Sequence, residues 1–171
     1  MEARAVLELK HSVLLPYSAH DIFALIEQAE NYPQFLPWCS GVTILERSDD
    51  WVAARLEFSY LKLRFGLQTR NTKARPVSLQ VRLVEGPFKH FLGDWVLLPL
   101  GEIGCKVTFV VSFEIAKGIL DAVAAPAIEL VSHAMLNAFV KRAEATLTPL
   151  SQSPPAPAPA QAVDTTIRTY P

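Results

Sequence analysis

Residues 51–60 read WVAARLEFSY and alternate in polarity along almost their whole length. Every second side chain is apolar, on the face formed by Val52, Ala54, Leu56, Phe58 and Tyr60. Because successive side chains of a β-strand point to opposite sides of the sheet, this spacing predicts a strand with one buried face. The chain therefore needs a second layer to cover that face.

The same alternation extends from residue 42 to residue 115. It recurs in VTILER (42–47), LKLRFGLQTRNTKAR (61–75), VSLQVRLVE (77–85), DWVLLPL (94–100) and CKVTFVVSFEI (105–115). SDD (48–50) and GPFKHFLG (86–93) carry turn-forming residues and are predicted as turns. Together with the alternating residues 5–14, these segments predict six or seven strands in an antiparallel meander.

Two helices are predicted around the strands. Ser18, followed by Asp21 three residues later, predicts the start of a short amphipathic helix that ends near Gln28. After Gly118, apolar residues recur at helical spacing for about 30 residues, and Pro126 should kink or restart this helix. The predicted fold class is α+β, with a curved antiparallel sheet of six to seven strands packed on a long C-terminal helix. The gap between such a sheet and its helix is a natural apolar ligand cavity.

Composition and charge limit the function. The chain has 171 residues, half of them hydrophobic, which predicts one domain over residues 1–148. Residues 149–171 are rich in proline and alanine and are predicted to form an extended, disordered tail. A net charge of −1 provides no overall field toward nucleic acid or an anionic membrane. With neither a signal or transit peptide nor a transmembrane segment recognisable, a cytoplasmic location is expected.

Residues with catalytic potential are scattered. No nucleophile, zinc or nucleotide-binding motif occurs, so the sequence predicts no enzyme, no metal site and no required cofactor. Cys39 and Cys105 have no metal-ligand spacing and are predicted to be small buried residues. The four histidines are predicted to be solvated or satisfied surface residues. They are His11, His20, His90 and His133.

Two segments invite a functional interpretation. Basic side chains cluster at Lys62, Arg64, Arg70, Lys73 and Arg75. They form either a solvated strand face or a strip that contacts lipid headgroups or RNA phosphates. No aromatic platform for stacking bases is expected on that face, which disfavours RNA.

The second segment is NYPQFLPWCSG (31–41), an apolar stretch whose two prolines predict a loop or a broken second helical turn. Its aromatic residues form either one lip of the cavity entrance or a plug at the end of the barrel.

Several motifs resemble one family in order and spacing. They are YSAHDIFALIEQAENYPQFLPWCSG (17–41), TRN (69–71), EGPFKHFLGDWVLLPL (85–100), CKVTFVVSFEI (105–115) and MLNAFVKRAEA (135–145). The chain is similar over about residues 6–147 to the coenzyme Q-binding proteins, which are START-like domains of the polyketide cyclase/dehydrase superfamily. Bacterial members of this family are also called RatA-type ribosome association toxins.

The resemblance implies a helix-grip fold with a hydrophobic ligand in its cavity. It implies a non-catalytic binding protein or chaperone for ubiquinone or a related isoprenoid lipid, which supports respiratory electron transport. Transient contact with the inner membrane surface follows from this role, and no DNA partner is expected. The alternative that it implies is a toxin that binds the large (50S) ribosomal subunit and blocks subunit assembly. A cyclase or hydrolase that uses the same cavity is the less favoured third interpretation.

Candidate ligand-binding residues follow from the resemblance and from the alternating faces. The cavity or its entrance is assigned to Phe35, Leu36, Pro37, Trp38, Phe58, Tyr60, Phe65, Pro87, Phe88, Trp95, Val131 and Met135. Contacts to headgroups or phosphates are assigned to Lys62, Arg64, Arg70 and Lys89.

Overall fold

The computed structural model describes residues 6–115, 124–150 and 164–170. The strands are β1 (Val6–Leu15), β2 (Cys39–Arg47), β3 (Trp51–Tyr60), β4 (Leu63–Ala74), β5 (Ser78–Glu85), β6 (Phe88–Pro99), β7 (Cys105–Ile115) and β8 (Asp164–Tyr170). The helices are α1 (Ala19–Glu27), a 3₁₀ helix (Ala29–Gln34) and α2 (Ala124–Thr146). Within the described residues, these strands form one antiparallel sheet in the order β2-β3-β4-β5-β6-β7-β1-β8. The predicted meander and long C-terminal helix are confirmed.

The start of α1 is set by the predicted cap. The Ser18 hydroxyl accepts a hydrogen bond from the Asp21 backbone N–H at 3.0 Å, which satisfies one of the free donors of the first turn. Ile22, Phe23 and Ile26 then turn one apolar face of α1 into the core.

The 3₁₀ helix follows α1 directly. It contains Pro33, and the Leu36 N–H donates to the Tyr32 carbonyl at 2.8 Å. The loop after the 3₁₀ helix therefore leads straight into β2.

A β-bulge corrects the prediction that GPFKHFLG is a turn. β6 begins at Phe88, and its register with β7 shifts between Phe88 and His90. A bulge inserts an extra residue into one strand and re-aims its neighbours. As a result Phe88 and Phe91 both pack inside the sheet, with ring centroids 5.3 Å apart.

The core lies between the concave face of the sheet, α1 and α2. Trp95 of β6 packs on Phe109 of β7 with ring centroids 4.4 Å apart, and edge to face on Phe139 of α2 at 5.0 Å. A second group of helix residues, including Leu136 and Ala143, is fully enclosed in this layer. The packing explains why the described part of α2 has an apolar stripe.

The chain ends differ from the prediction in two ways. The predicted beginning of the long helix, at residues 119–123, lies outside the described residues, and Pro126 occupies the first described turn of α2. The C-terminal tail was predicted to lack regular structure from residue 149. For Asp164–Tyr170 this is wrong, because these residues pair with β1 as an edge strand. Their TTIRTY sequence has the β-branched and aromatic composition typical of strands.

Candidate functional site

A groove of about 560 Å³ lies between the loop after the 3₁₀ helix and α2. The loop lines it with Phe35, Pro37 and Trp38, three of the four residues of this loop that were assigned to the cavity or its entrance. The facing side of α2 consists mainly of small and basic residues: Ala134, Asn137, Ala138, Lys141, Arg142 and Ala145. Because the alanine side chains are small, open space remains between the aromatic loop and the helix. Small-molecule sites typically measure roughly 300–1,000 Å³, so the groove has the size of a ligand site.

Trp38 connects this groove to the concave face of the sheet. Its ring stacks on Phe58 of β3 with centroids 6.1 Å apart, and Phe58 stacks on Phe65 of β4 at 5.2 Å. Phe65 in turn contacts Phe88 edge to face at 6.1 Å. These four rings form an aromatic row that runs from the groove to the interior. Phe58 and Phe65 are only half-buried.

Three further predicted residues lie at the edge of the core. Tyr60 on β3, and Val131 and Met135 on α2, are half-buried and pack against the edge of the core. They lie on the two layers that the helix-grip arrangement brings together. Their role as ligand contacts stays a prediction.

The remaining apolar candidates occupy other places. Leu36 is 1% exposed and lies in the core, so it does not line the groove with its neighbours. Trp95 is 3% exposed and serves the packing between β6, β7 and α2. Phe88 is buried at the inner end of the aromatic row, and Pro87 is half-buried immediately before β6. Alternation alone could not separate core residues from cavity residues, because both share one face of the sheet.

Arg142 ties the groove loop to α2. Its Nη2 donates to Gln34 Oε1 at 2.9 Å, and its guanidinium carbon lies 5.4 Å from the centroid of the Phe35 ring. A guanidinium over an aromatic face is an attractive cation–π arrangement. Lys141 is exposed beside it, and no acidic side chain lines the groove among the residues described. The groove therefore has apolar walls and a cationic end.

Sequence reasoning missed this basic end. Lys141 and Arg142 lie two and three residues after Phe139 in the quoted MLNAFVKRAEA motif, but no role was assigned to them. One feature of the sequence could have indicated the groove. Alanines recur at positions 134, 138 and 145, and these small side chains mark a face of the helix that another element can approach closely.

The predicted basic strip is divided between the two faces of β4. Lys62, Arg64 and Arg70 are exposed, as expected. The guanidinium carbon of Arg70 lies 3.9 Å from the centroid of the Trp51 ring on β3. One aromatic ring, that of Trp51, therefore lies on this face, and Arg70 covers it. Lys89 is also exposed and forms an ion pair with Glu114 at 3.4 Å.

Lys73 does not belong to an exposed strip, which corrects the prediction for this residue. Its side chain is 4% exposed, and Nζ donates to the Ser48 carbonyl at 3.0 Å and lies 3.8 Å from Glu27 Oε2. Arg75 donates to the same Glu27 carboxylate. Burial lowers the pKa of the Lys73 ammonium, and the neighbouring Arg75 lowers it further. The reason is register: Lys73 shares the inner face of β4 with Leu67.

His11 is a second correction. It is fully buried on the inner face of β1, and its ring lies 5.5 Å from the ring of His133 on α2. Burial lowers the pKa of His11, as does the proximity of His133, while Glu129 opposes the shift. His11 shares its strand face with Leu9, so the alternation itself carried the signal.

The other three histidines lie apart from one another. His20 and His133 are exposed, and His90 Nε2 lies 3.1 Å from Ser112 Oγ on the outer face of the sheet. Within the described ranges, no cluster of three histidine, cysteine or carboxylate side chains is placed to hold a metal ion. The described helices include none that is long and apolar enough to cross a membrane.

A curved antiparallel sheet that grips a C-terminal helix, with a groove at one end, defines a START-like helix-grip domain. The chain belongs to the family described as polyketide cyclase / dehydrase and lipid transport, which it matches over residues 15–140.

Named relatives narrow this assignment. The "Ribosome association toxin RatA" of Pseudomonas aeruginosa is 35% identical over 80% of this chain and 94% of its own length. The protein of the same name from Escherichia coli K12 is 31% identical over 80% of this chain and 87% of its own. The mitochondrial coenzyme Q-binding protein COQ10 of Drosophila melanogaster is 26% identical over 75% of this chain and 54% of its own. The predicted family is therefore confirmed.

Solved structures show the same fold at low identity. The Zhui aromatase/cyclase from Streptomyces sp. R1128 matches with a TM-score of 0.72 at 19% identity, over 83% of this chain and 99% of its own. A START superfamily protein from Mycobacterium smegmatis matches with a TM-score of 0.65 at 19% identity, over 82% and 97%. These likenesses establish the helix-grip fold.

Proposed function

We propose that this protein binds ubiquinone or a related isoprenoid lipid between its sheet and α2, and presents it without chemical change. In this role it supports respiratory electron transport and makes transient contact with the inner membrane surface. The observation that carries the proposal is the continuity between the groove and the aromatic row, through Trp38. Flat aromatic rings suit a quinone ring, and half-buried apolar side chains suit an isoprenoid tail.

The groove supplies an entrance for such a ligand. Phe35, Pro37 and Trp38 provide apolar and aromatic surface at the boundary between solvent and interior, where Trp is favoured. Lys141 and Arg142 at the cationic end are suited to the phosphates of a membrane surface. The ligand would thus pass from the bilayer along Trp38 to the aromatic row.

We also propose that the protein is not an enzyme and needs no cofactor. The Ser112–His90 contact lies on the outer face of the sheet, whereas the groove and the aromatic row lie on the inner side. Among the described residues that line the groove, the polar groups besides Arg142 and Lys141 are the Asn137 amide and the Trp38 indole N–H. These side chains suit a binding site better than a site for acid–base catalysis. Because an aromatase/cyclase has the same fold, the bound ligand must also be tested for chemical change.

A lipid-extraction experiment tests the proposal. Delipidated protein is mixed with phosphatidylcholine vesicles that contain ubiquinone, separated from them, and analysed by mass spectrometry. Wild type should carry unaltered ubiquinone. Ala134→Trp fills the groove and should abolish uptake, whereas Leu130→Trp, at an exposed position of the same helix, should not. Absence of ubiquinone from wild type would refute the proposal, and a chemically altered ligand would indicate an enzyme.

A second function is favoured by the relatives. The proteins named ribosome association toxins are 31% and 35% identical to this chain over most of its length. The alternative proposal is that the chain binds the large ribosomal subunit and blocks subunit association. Its exposed Arg70 lies over the half-buried Trp51 ring, with Arg64 and Lys62 nearby on the chain, and this arrangement suits RNA phosphates and bases.

Sucrose gradients after overexpression test this alternative. A ribosome-binding toxin should deplete 70S particles and increase free 50S and 30S subunits, and Arg70→Gln with Arg64→Gln should weaken the effect. Lys10→Gln with Lys106→Gln, at exposed positions of β1 and β7, is the matched control for loss of two positive charges. Unchanged particle ratios with wild type would rule out this function.

A further inference from the structure

The cationic end of the groove lacks a compensating negative charge. Of the basic residues whose burial the structure describes, the ones that are not exposed are Lys73, Arg82 and Arg142. Lys73 lies 3.8 Å from the Glu27 carboxylate, and Arg82 donates to Asp94 at 2.8 Å. Arg142 forms no ion pair with a described carboxylate. Because a partly buried charge without a partner is costly, this exception points to an anion from outside the chain.

The guanidinium of Arg142 has donors left for such an anion. Its Nη2 donates to the neutral Gln34 side chain at 2.9 Å, and its Nη1 donates to no described residue. Nε is the atom of this group that is enclosed without a partner, so Nη1 remains accessible. The fork of a guanidinium matches the oxygens of a carboxylate or a phosphate. Lys141 is exposed at the neighbouring position, lines the same groove and adds a second positive charge.

An apolar surface leads to these charges. Ala134, Ala138 and Arg142 line the groove at intervals of four residues, so they lie on one side of α2 over roughly 12 Å. The loop faces them with Phe35 and Trp38. The Arg142 guanidinium carbon lies 5.4 Å from the centroid of the Phe35 ring, which places the charge at the Phe35 end of the groove. The groove therefore suits a molecule with an apolar chain and an anionic group at one end.

We propose that the groove binds an anionic isoprenoid lipid, with its chain along Ala134 and Ala138 and its carboxylate or phosphate at Arg142 and Lys141. The inference rests on the proposed lipid-binding function and specifies the charge of the ligand's head group. A quinone ring is uncharged and leaves both cations uncompensated. An anionic head group supplies the acceptor oxygens that the guanidinium and the ammonium require. The groove therefore prefers an acidic lipid over a neutral one with the same chain.

Calorimetric titration of the delipidated full chain with three probes tests the inference. The probes are farnesyl phosphate, farnesol, which has the same chain without the charge, and inorganic phosphate, which has the charge without the chain. Wild type should bind farnesyl phosphate at least about tenfold more tightly than farnesol, because only the phosphate accepts charged hydrogen bonds. Inorganic phosphate should bind at least about a hundredfold more weakly than farnesyl phosphate, because it has no chain to bury. Equal affinity for these two phosphates would overturn the inference.

Charge variants locate the preference. Lys141→Gln with Arg142→Gln should remove the preference for farnesyl phosphate and leave the affinity for farnesol within about twofold of wild type. Lys10→Gln with Lys106→Gln removes two exposed charges outside the groove and should keep the wild-type preference. Arg142→Lys retains the charge and should keep most of the preference. Arg142 also holds the loop through Gln34, so equal loss of affinity for both lipids in the first variant would show a purely structural role and overturn the inference. A preference that persists in that variant would overturn it as well.

The remaining outcomes separate this inference from the proposed function. Equal affinities of wild type for farnesyl phosphate and farnesol, together with uptake of ubiquinone from vesicles, would overturn the anionic head group and leave the lipid function intact. The same equality, with weaker binding of the Lys141→Gln, Arg142→Gln variant to phosphatidylglycerol vesicles, would assign the two cations to the membrane surface instead. Binding of neither lipid, with no uptake of ubiquinone, would refute both the inference and the proposed function.

Discussion

Phe35, in the loop after the 3₁₀ helix, packs edge to face on Phe139 of α2, with ring centroids 5.0 Å apart. Tyr32 contacts both rings, at 5.9 Å from Phe35 and 5.3 Å from Phe139. The apolar stretch around residue 35 is thereby fixed to the long helix by an aromatic triad. One side of this contact belongs to the core, and the other faces the groove. The role of the stretch as an entrance lip stays a prediction, which the lipid-uptake experiment tests.

Leu36 is expected to contribute to the stability of the fold and not to ligand binding. Because its side chain is almost completely buried, Leu36→Ala should lower the free energy of unfolding by about 3 kcal/mol through lost burial and the remaining cavity. Leu98→Ala, at a 56% exposed position on the outer face of β6, should lower it by less than about 1 kcal/mol. Urea unfolding of both variants measures the difference. Equal effects would show that residue 36 is not in the core.

Both cysteines should be inert in the folded protein. Burial raises the pKa of the Cys39 and Cys105 thiols to about 11, so very little thiolate exists at neutral pH. We expect no alkylation of native protein by iodoacetamide at pH 8, and modification of both thiols in urea. Mass spectrometry of the labelled protein gives the count. Rapid labelling of either cysteine without denaturant would contradict its buried position.

His11 should make stability depend on pH. Its pKa in the folded protein is below the ordinary value of 6.5, chiefly because of burial, so the unfolded chain binds the proton more readily. The stability associated with neutral His11 is present above pH 6.5 and is lost as the pH falls from there through the lower folded pKa.

The pH dependence due to His11 is measured by comparing the wild type with variants. Urea unfolding of wild type and His11→Gln between pH 5 and pH 8 should show a steeper decline on acidification for wild type. His20→Gln, at an exposed position of α1, should match the wild-type slope. Identical slopes for wild type and His11→Gln would mean that His11 titrates normally.

The C-terminal strand should protect β1 without being needed for folding. Leu150 N–H donates to the Pro16 carbonyl at 2.8 Å, which anchors the chain before the tail. Ending the chain after Leu150 removes β8 and exposes the edge of β1. Hydrogen exchange of β1 amides should then quicken by at least about tenfold, while α2 amides keep their protection. Unchanged β1 exchange would place β8 elsewhere in solution.

The layers of this fold were predictable because they follow from the periodic spacing of apolar residues along the strands and helices. Alternating residues in β3 and β5 and the capped start of α1 at Ser18 are local patterns, and local patterns determine which face is buried. Distinctions within one face were not predictable. Whether Trp95 packs in the core or faces the cavity depends on Phe109 and Phe139, which are distant in the sequence.

Errors arose where a residue type suggested the wrong environment. Lys73 and His11 were assigned to the surface by chemical character, although their positions in the alternation placed them inside. The register shift at Phe88 and the pairing of β8 with β1 depend on contacts across the sheet, which no local pattern encodes. The groove depends on the distance between a loop and a helix that are a hundred residues apart.

The lipid that accompanies the protein tests the central claim most directly. Protein expressed in a quinone-producing bacterium should be purified without detergent, extracted with organic solvent and analysed by mass spectrometry, beside Ala134→Trp as the variant with a filled groove. The account predicts an isoprenoid quinone or quinol in the wild-type extract and its loss from Ala134→Trp. Repeated recovery of no isoprenoid lipid from wild type, or equal amounts from both proteins, would contradict it.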